Sequence, residues 1–244
     1  YSYDYVGFNL EKEKFKNKKI RQALSLAVNR KELFDVLFFG HGQVCNGPFL
    51  PGSFAYNDKI KTPSQNIKKA KQLLKELGYD KSNPFTFEVV TKTGNDIIIN
   101  AAQIRQYQLA KAGIKMKIRV MEWQAFLNTV IHPRNFEAVI LGWSLSLMPD
   151  AYPLWHSSSA KLGGFNLVNY KNKEVDKLIE KGSITVDQEE LSKIYKKIYS
   201  IIADDLPYLF LYIPNSITVV NSEIKNIEPS FVGVTHNLED WIKE

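Results

Sequence analysis

Apolar residues recur at two spacings along the chain, and the switches between them mark its elements. In "IRQALSLAV", Ile20, Ala23, Leu24, Ala27 and Val28 fall at offsets of three and four, which predicts a helix with one buried face. Asn29 followed by Glu32 has capping-box form and starts a second helix, "RKELFDVLFF", closed by Gly40. "GHGQVCNGPFLPGS" carries four glycines and two prolines and predicts a loop. "NIKKAKQLLKELG" returns to helical spacing, with Ile67, Ala70, Leu74 and Leu77 inward and Gly78 as its stop.

The period then drops to two. Phe85, Phe87 and Val89 alternate with Thr86 and Glu88, and Ile114, Met116, Ile118 and Val120 alternate with Lys115, Lys117 and Arg119. Between them "IIINAAQIRQYQLAKAG" predicts a helix closed by Gly113. "WQAFLNTVI" predicts a short helix and "FEAVILG" a buried strand ending at Gly142. This β-α-β-α-β order predicts an α/β fold: a mixed sheet with flanking helices, in which strands 85–91, 114–121 and 136–142 are neighbours joined by right-handed crossovers. Ligands gather outside the carboxyl ends of such strands. Two loops leave those ends, "TKTGND" (91–96) and "WSLSLMPDAYPLWHSSS" from Trp143 onward. Further on, "NKEVDKLIEKG" and "DQEELSKIYKKIYSIIADD" predict helices, the second with Leu191, Ile194, Tyr195, Ile198 and Ile202 inward. "PYLFLYIP" and "SITVV" predict strands.

Composition adds little to this picture, but it narrows the function. With 244 residues, 44% of them hydrophobic, the chain can bury a sizeable core, and no apolar run approaches the ~20 residues a helix needs to span a bilayer. The net charge of +6 raises the question of nucleic acid. The densest basic run, "KEKFKNKK", interleaves its lysines with Glu13 and Phe15, and no arginine-aromatic motif accompanies it, so a solvated face is expected and no nucleic-acid partner. The single Cys45 rules out an internal disulfide and a multi-cysteine metal site. His41, His132, His156 and His236 are scattered, and G-x-S-x-G, H-E-x-x-H, P-loop and G-x-G-x-x-G patterns are missing. His156 beside Ser157, Ser158 and Ser159 has the residue types of a nucleophile site but no orienting third group within the motif, and Asp204 and Asp205 are expected on the surface. The expectation is a binding surface without catalytic residues, metal or cofactor. A hydrolase with a noncontiguous site is the rival from another class.

Several stretches, taken in order, resemble one family. "YVGFNLEKEKFKNKKIRQALSLAVNRKEL", "NGPFLPGS", "NIKKAKQLLKELGY", "LGWSLSLMPDAYPLWHS" and "FNLVNYKNKEVDKLIEKG" are similar to the successive motifs of family 5 extracellular solute-binding proteins, the oligopeptide, dipeptide and nickel receptors of ABC importers. The oligopeptide-binding type is the one most resembled. The resemblance implies a periplasmic-binding-protein type II-like lobe, a peptide ligand held between two lobes, membrane permease subunits as partners, and a periplasmic or lipid-anchored, cell-envelope location. A nickel chelate or another small solute is the alternative ligand.

Family members are about twice as long, so the resemblance implies a C-terminal lobe whose N-terminal partner lobe is missing. Residues 1–10 would be a crossing strand, 11–207 the ligand-binding lobe, and 208–244 a return segment. The opening "YSYDYVGFNL", which starts on Tyr without a basic-then-apolar leader, reads as a strand entered mid-stride. On that view Tyr3, Tyr5, Phe210 and Phe231 sit together at one end and expose apolar surface. Ligand contacts fall to Trp143, Ser144, Leu145, Ser146 and Asp150, to Thr93 and Asn95 of the other loop, and to Asn166. Trp143, Ser146 and Asp150 are expected to share one concave surface with Asn95. Trp143 serves either as an aromatic plane against the ligand or as ordinary core. Many peptide receptors carry an aspartate three residues after this tryptophan to grip the ligand amine, and Ser146 stands there instead, a hydroxyl that offers no charge-assisted bond.

Overall fold

The computed structural model describes residues 2–146, 148–230 and 233–244. In chain order its elements are β1 (Ser2–Phe8), α1 (Glu13–Lys16), α2 (Lys18–Ala27), α3 (Arg30–Phe38), β2 (Gly42–Val44), α4 (Ile67–Glu76), β3 (Thr86–Lys92), α5 (Asp96–Lys111) and β4 (Lys115–Met121). They continue with α6 (Trp123–Phe126), prolonged by a π-turn (Leu127–Ile131), then β5 (Ala138–Ser144), α7 (Tyr152–Trp155), α8 (Lys173–Ile184), α9 (Gln188–Asp205), β6 (Tyr208–Pro214), β7 (Ile224–Lys225) and β8 (Ile242–Lys243).

Six strands form one mixed sheet in the order β2-β6-β1-β5-β3-β4. β3 pairs in parallel with both β4 and β5, as the crossover pattern predicts, while β1 runs antiparallel to β5 and β6. Side chains alternate across this sheet. Val6, Phe8, Phe87, Val89 and Ile140 meet α2 to α5 on one face. Tyr3, Tyr5, Tyr208 and Phe210 meet α7 to α9 on the other, where Val90 and Val139 also pack on α6 and the π-turn.

Asparagine starts many of these helices. The side chains of Asn17, Asn29, Asn66, Asn95 and Asn172 each accept a backbone N–H of the first turn, meeting donors the helix itself leaves orphaned. Asn29 caps α3 as its spacing to Glu32 predicts, but the reciprocal half of the box is taken over by Gln108 of α5. Its Oε1 accepts the Asn29 amide at 3.1 Å, and its Nε2 donates to Glu32 at 2.8 Å.

Three expectations are corrected. Tyr3 and Tyr5 are 0% exposed and Phe210 is 2% exposed. β1 and β6 are therefore central strands with both faces covered, not crossings that bare their aromatics; Phe231 lies outside the described residues. "SITVV" forms no strand: residues 216–220 are exposed coil, with Val219 at 92%. A β-branched run fits a pleated surface only where a neighbouring strand or layer supplies one. Val120 is exposed as well, because β4 is the outermost strand and its upper end is uncovered.

β5 is anchored at its start. The Glu137 carboxylate receives Lys14 Nζ at 2.6 Å and the Glu88 amide at 2.7 Å, tying β5 to β3 and to α1. Burial alone raises this carboxyl, but the ammonium and the amide together hold it below the ordinary glutamate value. A depressed acid stabilises the fold above its unfolded pKa, and that contribution is lost as pH falls through the folded value. Glu137→Gln is therefore expected to cost about 1 kcal/mol at pH 7 and nothing once the carboxyl is protonated. Urea unfolding of both proteins at neutral and acid pH checks this, and a cost independent of pH would contradict it.

Candidate functional site

Strand directions decide where the rim lies. β3, β4, β5 and β6 all point the same way and β1 points back, so the chain enters β1 at the edge where the other four end. Ser2 registers with Ser144, and Asp4 with both Gly142 and Tyr212. The start of β1, the end of β6 and the loop after β5 thus meet at one edge.

β5 runs two residues further than its hydrophobic pattern suggests and takes Trp143 and Ser144 into the sheet. The backbones approach closely at Gly142: a Cβ would stand 2.6 Å from Asp4 Oδ1 and 3.2 Å from the Tyr3 carbonyl, so a larger residue would displace the Asp4 side chain. Trp143 is half-buried. Its ring stacks on Tyr5 (6.2 Å between centroids, 14°), meets Phe165 edge-on (6.1 Å, 87°), and donates Nε1–H to Tyr208 Oη at 3.2 Å. Burial pushes the Tyr208 hydroxyl up to about 12, so it remains a neutral partner for the indole.

Beyond Ser144 the backbone leaves the ladder. Ser144 and Ser146 are exposed and Leu145 half-buried. Ser146 Oγ accepts the Met148 amide at 3.2 Å, and Asp150 Oδ1 accepts the Tyr152 amide at 2.9 Å, closing the turn into α7. Across the rim Thr93 is exposed and its amide donates to the Met121 carbonyl at 2.7 Å, while the Asn95 carboxamide oxygen caps α5 through Ile98 N–H.

Asn166 is elsewhere. It is fully buried, donates to the carbonyls of His156 (3.2 Å) and Tyr170 (2.8 Å), and accepts the Tyr170 amide at 3.0 Å, so its polar groups are spent on the loop that carries it.

A cavity of about 470 Å³ opens beside Trp143, between the π-turn on one side and Phe165 on the other. Trp143 and Gly142 line it; Ser146, Asp150 and Asn95 are not among its lining residues.

Two charged groups near the rim escaped sequence reasoning. Burial raises the Asp4 carboxyl, against the opposing pull of the Tyr212 hydroxyl, Arg105 and Lys92. Arg105 is buried with no hydrogen-bond partner on its guanidinium among the described residues, and desolvation lowers its pKa against the fields of Tyr212 and Asp4. The readable signal was a lone acid inside the apolar run "YSYDYV"; helical spacing gave no warning of Arg105.

The reactive groups elsewhere are quiet. Burial pushes the Cys45 thiol up to about 12, which leaves it protonated. Ser158 Oγ lies 2.7 Å from His156 Nδ1, and His156 Nε2 lies 3.4 Å from Glu180, the third group that the motif itself did not supply. Yet the amides of residues 157–160 are already engaged by Asp176, by the His156 ring and carbonyl, and by the Ser157 carbonyl. None of these four amides is left to stabilise an oxyanion.

Residues 1–165 match the family described as bacterial extracellular solute-binding proteins, family 5 Middle. Over 98% of its length the chain is 38% identical to the oligopeptide-binding protein AppA of Bacillus subtilis, of which the match covers 46%. The solved structure of that protein, in complex with a nonapeptide, superposes with a TM-score of 0.86 over the whole chain and 51% of its own length. The periplasmic binding protein DppA of Helicobacter pylori, in complex with peptide STSA, gives a TM-score of 0.81 at 31% identity, over 93% of this chain and 44% of that one. NikZ of Campylobacter jejuni, in complex with Ni(L-His), gives 0.80 at 26% identity, over 99% and 52%. The chain thus spans about half the length of these relatives.

Proposed function

Because this chain belongs to the bacterial extracellular solute-binding proteins of family 5, we propose that it forms the C-terminal lobe of a two-lobed peptide receptor serving an ABC importer at the cell envelope. The observation that carries the reading is the coincidence at one sheet edge of the two chain crossings with the Trp143 loop. β1 enters and β6 leaves where β5 ends, so a second lobe attached through these segments faces Trp143 directly. Closure is a hinge motion across the two crossings.

Among the described residues the outermost pair of β1 and β5 is Ser2–Ser144, and the main chain of Leu145 and Ser146 follows it. In this reading an extended peptide pairs with that main chain through its own backbone, which gives affinity without reading side chains. Trp143 adds an aromatic plane already fixed by Tyr5 and Tyr208, so little ordering entropy is lost on contact. The receptor binds without chemistry, in keeping with the protonated Cys45 thiol and the engaged amides around Ser158. A nickel chelate is the second reading, favoured by the likeness to NikZ. Among the described residues no group of three His, Cys, Asp or Glu is placed to hold a metal ion.

Trp143→Ala in the two-lobed receptor is expected to weaken peptide binding by about 1–3 kcal/mol. Ser146→Asp is expected to tighten binding of a peptide whose free amine lies near this loop, with the gain fading as the new carboxylate is protonated. Calorimetry with one peptide and its N-acetylated form measures both. Unchanged affinity in Trp143→Ala alongside a large loss of thermal stability would return Trp143 to the core.

A further inference from the structure

β2 covers only part of its neighbour. It pairs with residues 212–214 and leaves the start of β6 without a strand on its outer edge. Arg30 stands in for the missing strand. Its Nε–H donates to the Phe210 carbonyl at 2.6 Å, while Nη1 and Nη2 donate to the Ser25 carbonyl (3.2 Å) and hydroxyl (2.9 Å). A guanidinium has five N–H groups, so two of them have no acceptor among the described residues, and the three engaged ones all meet neutral oxygens.

Arg30 is thus a buried cation without an anion. It is 5% exposed, and burial lowers it to about 10, which leaves it charged at neutral pH. The other buried arginines sit in the field of a carboxylate, Arg21 in that of Asp205 and Arg105 in that of Asp4. The field that opposes desolvation of Arg30 comes from Cys45, whose thiol stays protonated. A charge taken out of water is ordinarily paired.

The same side chain lines a cavity of about 390 Å³ between α2, α4, α9 and the loop 45–66, within the roughly 300–1,000 Å³ typical of small-molecule sites. Leu26, Ile60, Leu73 and Phe210 give it apolar walls. Its other charged lining residues are Lys61, Lys69 and Asp204. The two lysines are exposed, and Asp204 is held by Lys18 at 2.5 Å. The Ser25 hydroxyl, which accepts from Arg30, keeps a proton with no acceptor among the described residues. Arg30 also borders a second cavity, beside Thr62 and Pro63, and none of the described residues lining that one is acidic.

Hydrogen bonds fix the walls. Asn46 Oδ1 accepts the Thr62 amide at 2.9 Å and closes the loop on itself. Asn57 donates to the Lys196 carbonyl (3.2 Å) and the Ser200 hydroxyl (3.0 Å) of α9. The Asn66 amide reaches the Leu26 carbonyl at 2.7 Å, and Gln65 the Ala27 carbonyl at 2.9 Å, which fastens the far end of the loop to α2.

We propose that this cavity binds a small monoanion with an apolar body, a carboxylate of the short-chain fatty acid or aryl acid type. Its carboxylate lies at Arg30 and Ser25, and its body against Leu26, Leu73 and Phe210. Such a ligand supplies the missing countercharge through charge-assisted hydrogen bonds and covers the apolar walls. An amine of the same shape meets Arg30, Lys61 and Lys69 with only the engaged Asp204 in its favour. Inorganic phosphate brings a second charge and no apolar body. The cavity shares no lining residue with the one beside Trp143, so the proposal stands apart from the peptide reading.

Calorimetry on the two-lobed receptor with hexanoate, 1-hexanol, hexylamine and inorganic phosphate tests it. Hexanoate should bind about tenfold or more tighter than 1-hexanol, with hexylamine and phosphate weaker than hexanoate. It should also shift the Nε–H resonance of Arg30 in the NMR spectrum and leave peptide affinity unchanged. Ala203→Trp, which fills the cavity from α9, should abolish hexanoate binding, and Leu73→Trp, from the opposite wall, serves if the first variant does not fold. Absent hexanoate binding, or binding no tighter than that of hexanol or hexylamine, would overturn the proposal. Phosphate binding as tight as hexanoate would overturn the apolar part of the ligand class. Displacement of hexanoate by peptide would place it in the cleft and overturn the separate site, while the peptide reading would stand.

Discussion

Trp155→Ala is expected to cost about 3–5 kcal/mol of stability, the range for truncating a buried large aromatic, and to lower Tm by roughly 10 °C for a chain of this size. Trp155 is fully buried, with its ring 4.8 Å from Tyr208, 6.0 Å from Tyr170 and 6.4 Å from Phe210. It thus joins α7 to β6 and to the loop before α8. Removing it opens a hole among rings that are themselves fixed by the sheet and cannot close in. Trp155→Phe should recover much of the loss. The indole N–H has no partner among the described residues, so phenylalanine forfeits area but strands no hydrogen bond. Thermal and urea unfolding of the three proteins decide it. A loss under about 1 kcal/mol in Trp155→Ala would mean that this layer repacks freely, contrary to close-packed interiors.

Asn166→Ala should come next in size, although the side chain it removes is small. One carboxamide satisfies the Tyr170 amide and two carbonyls in a fully buried setting. Stranding the amide alone costs about 1–3 kcal/mol, and the two carbonyls add to that. Asn166→Asp keeps the acceptor for Tyr170 N–H but turns a carboxylate oxygen toward two carbonyls, so it should be no better tolerated at neutral pH. Peptide affinity per folded molecule should stay near that of the unchanged protein. A variant of normal stability with weakened binding would instead return Asn166 to the ligand, where the family resemblance placed it.

These two residues show where sequence reasoning ran out. The alternation of Phe85, Phe87 and Val89, and of Ile114 and Met116, carried the parallel part of the sheet correctly, because burial on one face leaves a period-two trace. β1 and β6 left a weaker trace. Apolar on both faces, they read equally well as crossing segments, and only their pairing with each other and with β5 places them at the centre. Trp143 and Trp155 stand twelve residues apart in one motif, yet the first is half-buried and the second fully buried, a difference set by what packs over each. The carboxamides of Asn95 and Asn166 are both committed to local backbone, which residue type alone does not reveal. Phe165, the far wall of the cavity, follows two glycines in a stretch without periodicity, so nothing in its neighbourhood pointed to Trp143.

The sheet's two outer strands carry a consequence of their own. β2 is only three residues long, and β4 sets exposed Lys115 and Lys117 beside Arg119, which pairs with Glu88 at 3.0 Å. A foreign strand seeking to dock finds too few open amides on one flank and a row of cations on the other. Brevity on one flank and charge on the other thus disfavour edge-to-edge stacking of copies of this sheet.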